Sequence, residues 1–240
     1  QTIDRIQVQH ELFKDRARIT WIFAFDLTHR VVGFETQIHE MLANKNVLSH
    51  TFSERHYDNL ISHLSNPNPS NLTAFFFHPT REGLPEAYNP NYYSSAIQLN
   101  HALAHFIPDH VWGYNLDYDN SIPCNFFHVL VPTIEAHPTS SLIAFSQIRE
   151  NGKKMRPLPN PAHIDPGSFI GRMEDVKKSG AKWAIKRPFK NGYMDADFMV
   201  EFWKFLSSDK VIVLRETLAF HNRLLWKTPM ESCLNHTCVC

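Results

Sequence analysis

The stretch that decides the fold runs from residue 94 to residue 120 and reads SSAIQLNHALAHFIPDHVWGYNLDYDN. Its first half carries apolar residues at positions i, i+3, i+4 and i+7, the spacing of one buried helix face: Leu99, Ala102, Leu103 and Phe106. Pro108 ends this helix, and the apolar run at residues 111–116 predicts a strand directly after it. A helix that leads at once into a buried strand is typical of α/β folds.

Strands and helices alternate in the same way along the rest of the chain. Residues 19–25 (ITWIFAF) are an unbroken β-branched and aromatic run, which predicts a strand buried on both faces. Apolar residues at helical spacing in residues 34–42 predict a helix after it. Further strands are predicted at residues 46–52, 72–77, 141–148 and 210–214, and further helices at residues 57–64 and 199–206. This alternation predicts βαβ units, and therefore an α/β fold with a mainly parallel, Rossmann-like central sheet flanked by helices.

Composition narrows the class of protein. The chain has 240 residues, of which 43% are hydrophobic and 20% charged, so a single globular domain is expected. Lys plus Arg and Asp plus Glu both number 24, which leaves no basic excess of the kind that nucleic-acid binding requires. No run of 18 apolar residues occurs, so we expect no membrane span in this chain and a soluble protein as written. The cytoplasm and the lumen of the secretory pathway both stay open as compartments, because the two sequons, at Asn71 and Asn235, do not decide between them.

Two carboxylates follow the strand predicted at residues 111–116. Asp117 and Asp119 are two positions apart, and in an extended chain such side chains point to the same side. In α/β sheets ligands bind at the carboxyl ends of strands, and oxygen ligands suit Mg²⁺ or Mn²⁺ held beside phosphate groups. The tripeptide therefore predicts a site for a metal and a diphosphate. A solvated loop is the alternative for so common a pattern.

Six segments in order carry a resemblance to a known family. They are residues 94–103 with Asn100, residues 112–120 with the Asp-x-Asp tripeptide, residues 163–170 (HIDPGSFI), Trp183, residues 191–198 (NGYMDADF) and residues 215–222 (RETLAFHN). In this order and spacing they resemble the GT-A glycosyltransferases, especially the broad family-2-like group that uses nucleotide sugars. The resemblance spans about residues 19–223, and its weight lies in the order, because each motif alone is degenerate.

The resemblance implies a fold and an activity. Residues 16–120 would form the half that binds the nucleotide sugar, residues 121–223 the acceptor half, and residues 224–240 a C-terminal tail. The activity would be transfer of a sugar from a UDP- or GDP-sugar to a hydroxyl of a glycan or glycoconjugate, with Mn²⁺ or Mg²⁺ as cofactor and inversion favoured.

The resemblance also implies which residues hold the metal and the nucleotide. Asp119 would bind the cation and Asp117 would lie nearer the ribose or act through water. His221 would be a metal ligand from the C-terminal side. Contacts to base, ribose or phosphate would come from three further residues: Asp26, Arg81 and Asn100.

The general base implied by the resemblance is Asp195, which would deprotonate the acceptor hydroxyl. Many family members have Glu-Asp where this chain has Met194-Asp195. Two alternatives for the base therefore stay open, Asp197 and the pair Glu174-Asp175.

Other functions remain as alternatives. His163, Asp165 and His221 fit the two-histidine, one-carboxylate triad of Fe(II)/2-oxoglutarate oxygenases. That fold needs short strands between residues 163 and 221, where the sequence instead predicts a helix. A nucleotide-sugar-binding module without turnover is a non-enzyme alternative.

The four cysteines permit several interpretations. Cys124 could be a nucleophile with His128 or His137 as base, but its apolar neighbours favour a buried small side chain. The three tail cysteines, Cys233, Cys238 and Cys240, are poorly spaced for zinc. A disulfide or a disordered end is favoured for them.

Overall fold

The computed structural model of the protein describes residues 11–13, 15–17, 21–24, 33–44, 48–52, 73–77, 100, 103, 107, 109–116, 120–157, 161, 165–183 and 194–221. Its strands are β1 (Trp21–Ala24), β2 (Leu48–Phe52), β3 (Thr73–Phe77), β4 (Trp112–Tyr114), β5 (Leu142–Ile148), β6 (Lys154–Met155), β7 (Phe169–Arg172) and β8 (Val211–Phe220). Its helices are α1 (Phe34–Ala43), α2 (Phe126–Ala136), α3 (Met173–Ser179) and α4 (Met194–Phe205), with short 3₁₀ turns at Pro166–Ser168 and Ser208–Lys210. The fold is mixed α/β.

The first three strands form a parallel sheet in the order β1-β3-β2. Trp21 pairs with Ala74, and Leu48 pairs with Thr73. The strands predicted at residues 19–25, 46–52 and 72–77 are thus confirmed, as is their parallel direction. The helix predicted at residues 34–42 is confirmed as α1, whereas the one predicted at residues 57–64 lies outside the described residues.

A second sheet contains the remaining five strands, in the order β4-β7-β5-β6 with β8 on the other side of β5. Here β4 and β5 are each antiparallel to β7, and β5 is antiparallel to β6 but parallel to β8. The expectation of a mainly parallel sheet is therefore wrong for this half, which is mixed. The physical reason is connection length: residues 149–153 join β5 to β6 as a tight hairpin, with Gly152 at a φ of 76°, and so short a link can only reverse the chain.

β5 lies at the centre of this sheet and separates two apolar clusters. Leu142 and Ala144 face one cluster, Ile143 and Phe145 face the other, and all four are fully buried. The first cluster also holds Leu42 of α1, so a helix from the N-terminal half contributes to the core of the second sheet.

Two helices depart from the sequence expectation. α2 contains Pro132, which removes a backbone donor and argued against a helix there. Its apolar face is nevertheless buried through Phe126, Leu130 and Val131, and this burial outweighs the break. α3 begins directly after β7 and ends at Gly180, which adopts a left-handed conformation at φ 69°. Among the helices of the described part of the chain, none is long and apolar enough to cross a bilayer.

Candidate functional site

Three strands of the second sheet end at one edge. β5 and β8 are parallel, and their last residues, Ile148 and Phe220, are paired. Ser121 lies on the far side of Phe220 in an isolated antiparallel bridge. Its N–H donates to the Phe220 carbonyl over 3.0 Å and its carbonyl accepts from the Phe220 N–H over 2.8 Å. We call residues 120–121, 148–150, 165–168 and 221 the carboxyl edge.

His221 is fixed at this edge through both backbone and side chain. Its backbone N–H donates to the Ile148 carbonyl over 2.8 Å. Its Nδ1 lies 3.4 Å from a carboxylate oxygen of Glu150, with the His221 side chain 24% exposed and that of Glu150 40% exposed. A hydrogen bond from its own backbone amide, followed by the one with His221, lowers the pKa of Glu150 below its ordinary value. A histidine oriented by an ionised carboxylate is a common arrangement around metal-binding imidazoles.

The turn at residues 165–168 closes the same edge. The Asp165 Oδ1 accepts the N–H of Gly167 over 3.0 Å, and the Ser168 hydroxyl donates to the Asp165 carbonyl over 2.7 Å. Tyr114 donates its hydroxyl to the Gly167 carbonyl over 3.0 Å. A Cβ on Gly167 would lie 3.2 Å from the Nδ2 of Asn120, so the missing side chain lets the turn approach the residue that follows Asp119. Asp165 thus serves as the cap of this turn.

The side chain of Asn100 uses both ends of its amide on the backbone of Trp183. Nδ2 donates to the Trp183 carbonyl over 2.8 Å, and Oδ1 accepts the Trp183 N–H over 2.9 Å. The indole of Trp183 stacks on Phe198 of α4, with ring centroids 3.9 Å apart. Asn100 therefore joins its own helical turn to the segment before α4, while its contact with a nucleotide stays a prediction.

The candidates for the general base occupy two different places. Asp195 is the second residue of α4, and Asp197 is half-buried one position beyond Ala196. Asp175 instead accepts a hydrogen bond from the hydroxyl of Ser141 over 2.6 Å, and Glu174 pairs with Lys178. Ser141 precedes β5, so Glu174 and Asp175 lie a strand length from the carboxyl edge, about 20 Å at 3.3 Å per residue.

Several predicted site residues lie outside the described residues: Asp26, Arg81, Asp117, Asp119 and His163. Of the predicted set, the described carboxyl edge holds His221 and Asp165. Within the described ranges no three His, Cys, Asp or Glu side chains cluster as a metal centre. The sequence analysis missed Glu150, although the rule that ligands bind beyond strand ends points to it, because it follows the strand predicted at residues 141–148.

Cys124 forms a disulfide bond. It lies three residues after Ser121, in the turn that leads into α2. The interpretation as a nucleophile and the one as an isolated buried thiol are both wrong, since a bonded sulfur carries no thiolate.

Comparison with known proteins gives one distant structural likeness. No protein-family model matches the chain, and no curated protein matches it. The crystal structure of S. aureus TarS, residues 1–349, superposes with a TM-score of 0.47 at 12% identity. The match covers 85% of this chain and 60% of that one, so the chain spans less than two thirds of the TarS segment. TarS is a glycosyltransferase, but an overlap of this size establishes no activity for this chain.

Proposed function

We propose that this protein is a metal-dependent glycosyltransferase that moves a sugar from a nucleoside diphosphate sugar to a hydroxyl of a glycan or glycoconjugate, with inversion. The observation that carries the proposal is the pairing of Ser121 with Phe220 by two backbone hydrogen bonds. It joins the residues after Asp119 to the residue before His221, which are about 100 positions apart in the chain. Two segments that the resemblance assigns to one metal site thus meet at one edge of a sheet.

The residues proposed to hold the cation fit its chemistry. Asp119 would supply a carboxylate oxygen and His221 an imidazole nitrogen, a set that suits Mn²⁺ and is compatible with Mg²⁺. Glu150, kept ionised, would hold the His221 ring in orientation. When bound, the cation neutralises the charge of the leaving nucleoside diphosphate.

The donor would be bound by residues of the N-terminal half and of the Asp-x-Asp tripeptide. Asp117 would contact the ribose or act through water, and Asp26 and Arg81 would contact base, ribose or phosphate. Asn100 would reach the nucleotide from its helix. Its two bonds to Trp183 support an additional part in positioning the segment ahead of α4.

Asp195 would be the general base that removes the proton of the acceptor hydroxyl. The positions of Glu174 and Asp175 support this choice, because both carboxylates are engaged near the amino end of β5. Asp197 stays the alternative on α4.

The experiment that tests the proposal measures release of free nucleoside diphosphate from each common UDP- and GDP-sugar, with and without Mn²⁺. We expect one donor to be turned over in a metal-dependent manner. Asp119→Asn should lower that turnover by at least about a hundredfold, since a charged ligand is replaced by a neutral one. The matched control is Asp209→Asn, the same change on an exposed residue before β8, at the opposite end of that strand.

The same assay separates the base from the donor site. Asp195→Ala should abolish transfer while leaving donor affinity nearly unchanged, because a base acts in the transition state. No donor turned over with metal present, or an Asp119→Asn enzyme as active as the Asp209→Asn control, would refute the proposed function. Turnover of 2-oxoglutarate with Fe(II) would support the oxygenase instead.

A further inference from the structure

The disulfide at Cys124 has a partner that the sequence narrows to three residues. The chain has four cysteines, and apart from Cys124 they are Cys233, Cys238 and Cys240. All three lie outside the described residues, within the last eight positions of the chain. In a single chain, a bonded Cys124 can therefore be joined only to this C-terminal group.

The geometry of the carboxyl edge favours such a bond. Phe220 is held against Ser121 by two hydrogen bonds, so the chain leaves β8 beside the segment that carries Cys124. From His221, 12 residues reach Cys233, and an extended chain of that length spans about 40 Å. Loop-closure entropy differs by less than about twofold in equilibrium constant among the three cysteines. Each is within reach, and none is excluded by chain length.

We propose that Cys124 forms an intrachain disulfide with one of Cys233, Cys238 and Cys240, which anchors residues 222–240 covalently to the carboxyl edge. Two thiols lose two protons and two electrons as the S–S bond forms. A small disulfide such as oxidised glutathione accepts them and is reduced to two thiols. Such a bond persists in an oxidising compartment, so the protein matures in the secretory lumen and not in the cytoplasm.

A second feature of the same segment agrees with this compartment. The sequon at Asn235 lies between Cys233 and Cys238, and attachment of an N-glycan requires secretion. The proposal does not depend on the glycosyltransferase activity, because it concerns only a covalent bond of the chain.

The test is a disulfide map of the full chain, purified without reductant and alkylated in denaturant. Trypsin should give a cross-linked pair that contains Cys124 and residues 228–240, and dithiothreitol should resolve it into two peptides. Chymotrypsin, which cleaves after Leu234, then distinguishes Cys233 from the other two. Alkylated Cys124 in the unreduced sample, or a bond between the Cys124 residues of two copies, would overturn the proposal.

A proteolysis assay tests the anchoring separately. After a trypsin nick at Lys227, the wild-type chain should keep residues 228–240 until reductant is added, whereas Cys124→Ser should lose them at once. The matched controls are Ser replacements of the three tail cysteines in turn. One of them should reproduce the Cys124→Ser result and the other two should behave as wild type. Early loss of the tail from the wild type would contradict anchoring, and if Cys124→Ser fails to fold the peptide map decides.

Discussion

At the scale of single residues, the side chain of Asn100 shows how one amide can hold two distant segments together. Both of its hydrogen bonds go to the backbone of Trp183, which is 83 positions away and buried. Removing the amide leaves a donor and an acceptor of Trp183 without their partner. A buried polar group that loses its partner costs roughly 1–3 kcal/mol.

We therefore predict that Asn100→Ala lowers the free energy of unfolding by about 1–3 kcal/mol. The measurement is urea denaturation, with Asn151→Ala as the control. Asn151 accepts a single exposed hydrogen bond, from the N–H of Lys153, so the same substitution there should cost less. A variant with unchanged stability and weaker nucleotide binding would contradict the positioning role and indicate a direct contact with the donor.

Residue chemistry also explains which parts of the site could be predicted from sequence. Asp119 and His221 could be proposed because acidic residues and histidines that follow buried strands are visible in the chain. The pairing of Ser121 with Phe220 could not, since it joins residues 99 positions apart through backbone atoms that every sequence possesses. The disulfide of Cys124 is equally invisible, because four cysteines do not state their own connectivity.

At the scale of elements, two glycines set how closely α3 lies on the second sheet. Gly113 of β4 and Gly171 of β7 are cross-strand partners. A Cβ on Gly171 would lie 3.1 Å from the Cγ2 of Val176, and a Cβ on Gly113 would lie 2.6 Å from the terminal methyl of Met173. The two clashes differ in kind, because the valine side chain is stiff in a helix whereas the thioether end of methionine is flexible.

We predict that Gly171→Ala destabilises the protein by about 1–3 kcal/mol, the usual cost of overpacking, and that Gly113→Ala costs less. Both substitutions reduce the freedom of the unfolded chain equally, so the difference between them isolates the contact with α3. Urea denaturation of both variants provides the comparison. Equal costs, or a larger cost at Gly113, would show that the valine yields as easily as the methionine.

The elements also show where sequence reasoning succeeds and where it fails. Strands made of long apolar runs, such as β1, β3 and β5, were predictable because a buried strand needs just that pattern. α2 was hidden by Pro132, a local signal that tertiary burial overrides. The direction of β7 could not be predicted from its own residues, because strand direction depends on the path of the connections before it.

At the scale of the whole molecule, β5 is the element on which the second sheet depends. It pairs with β7 and β6 along one side and with β8 along the other, and its two faces line separate apolar clusters. β8 is placed differently. Within the described residues it pairs with β5 along one side and, on the other, meets Ser121 at Phe220, and its Val213 is 41% exposed.

This asymmetry predicts the pattern of amide hydrogen exchange. Amides that open only when the whole domain unfolds exchange most slowly, so residues 143–145 of β5 should be the last to exchange. Amides of residues 213–216 that point away from β5 should exchange at least roughly tenfold faster, because no partner strand in the described part of the chain protects them. Exchange mass spectrometry of the oxidised protein measures both sets. Similar protection of the two would mean that another segment of the chain covers the outer side of β8, and the second sheet would then continue beyond that strand.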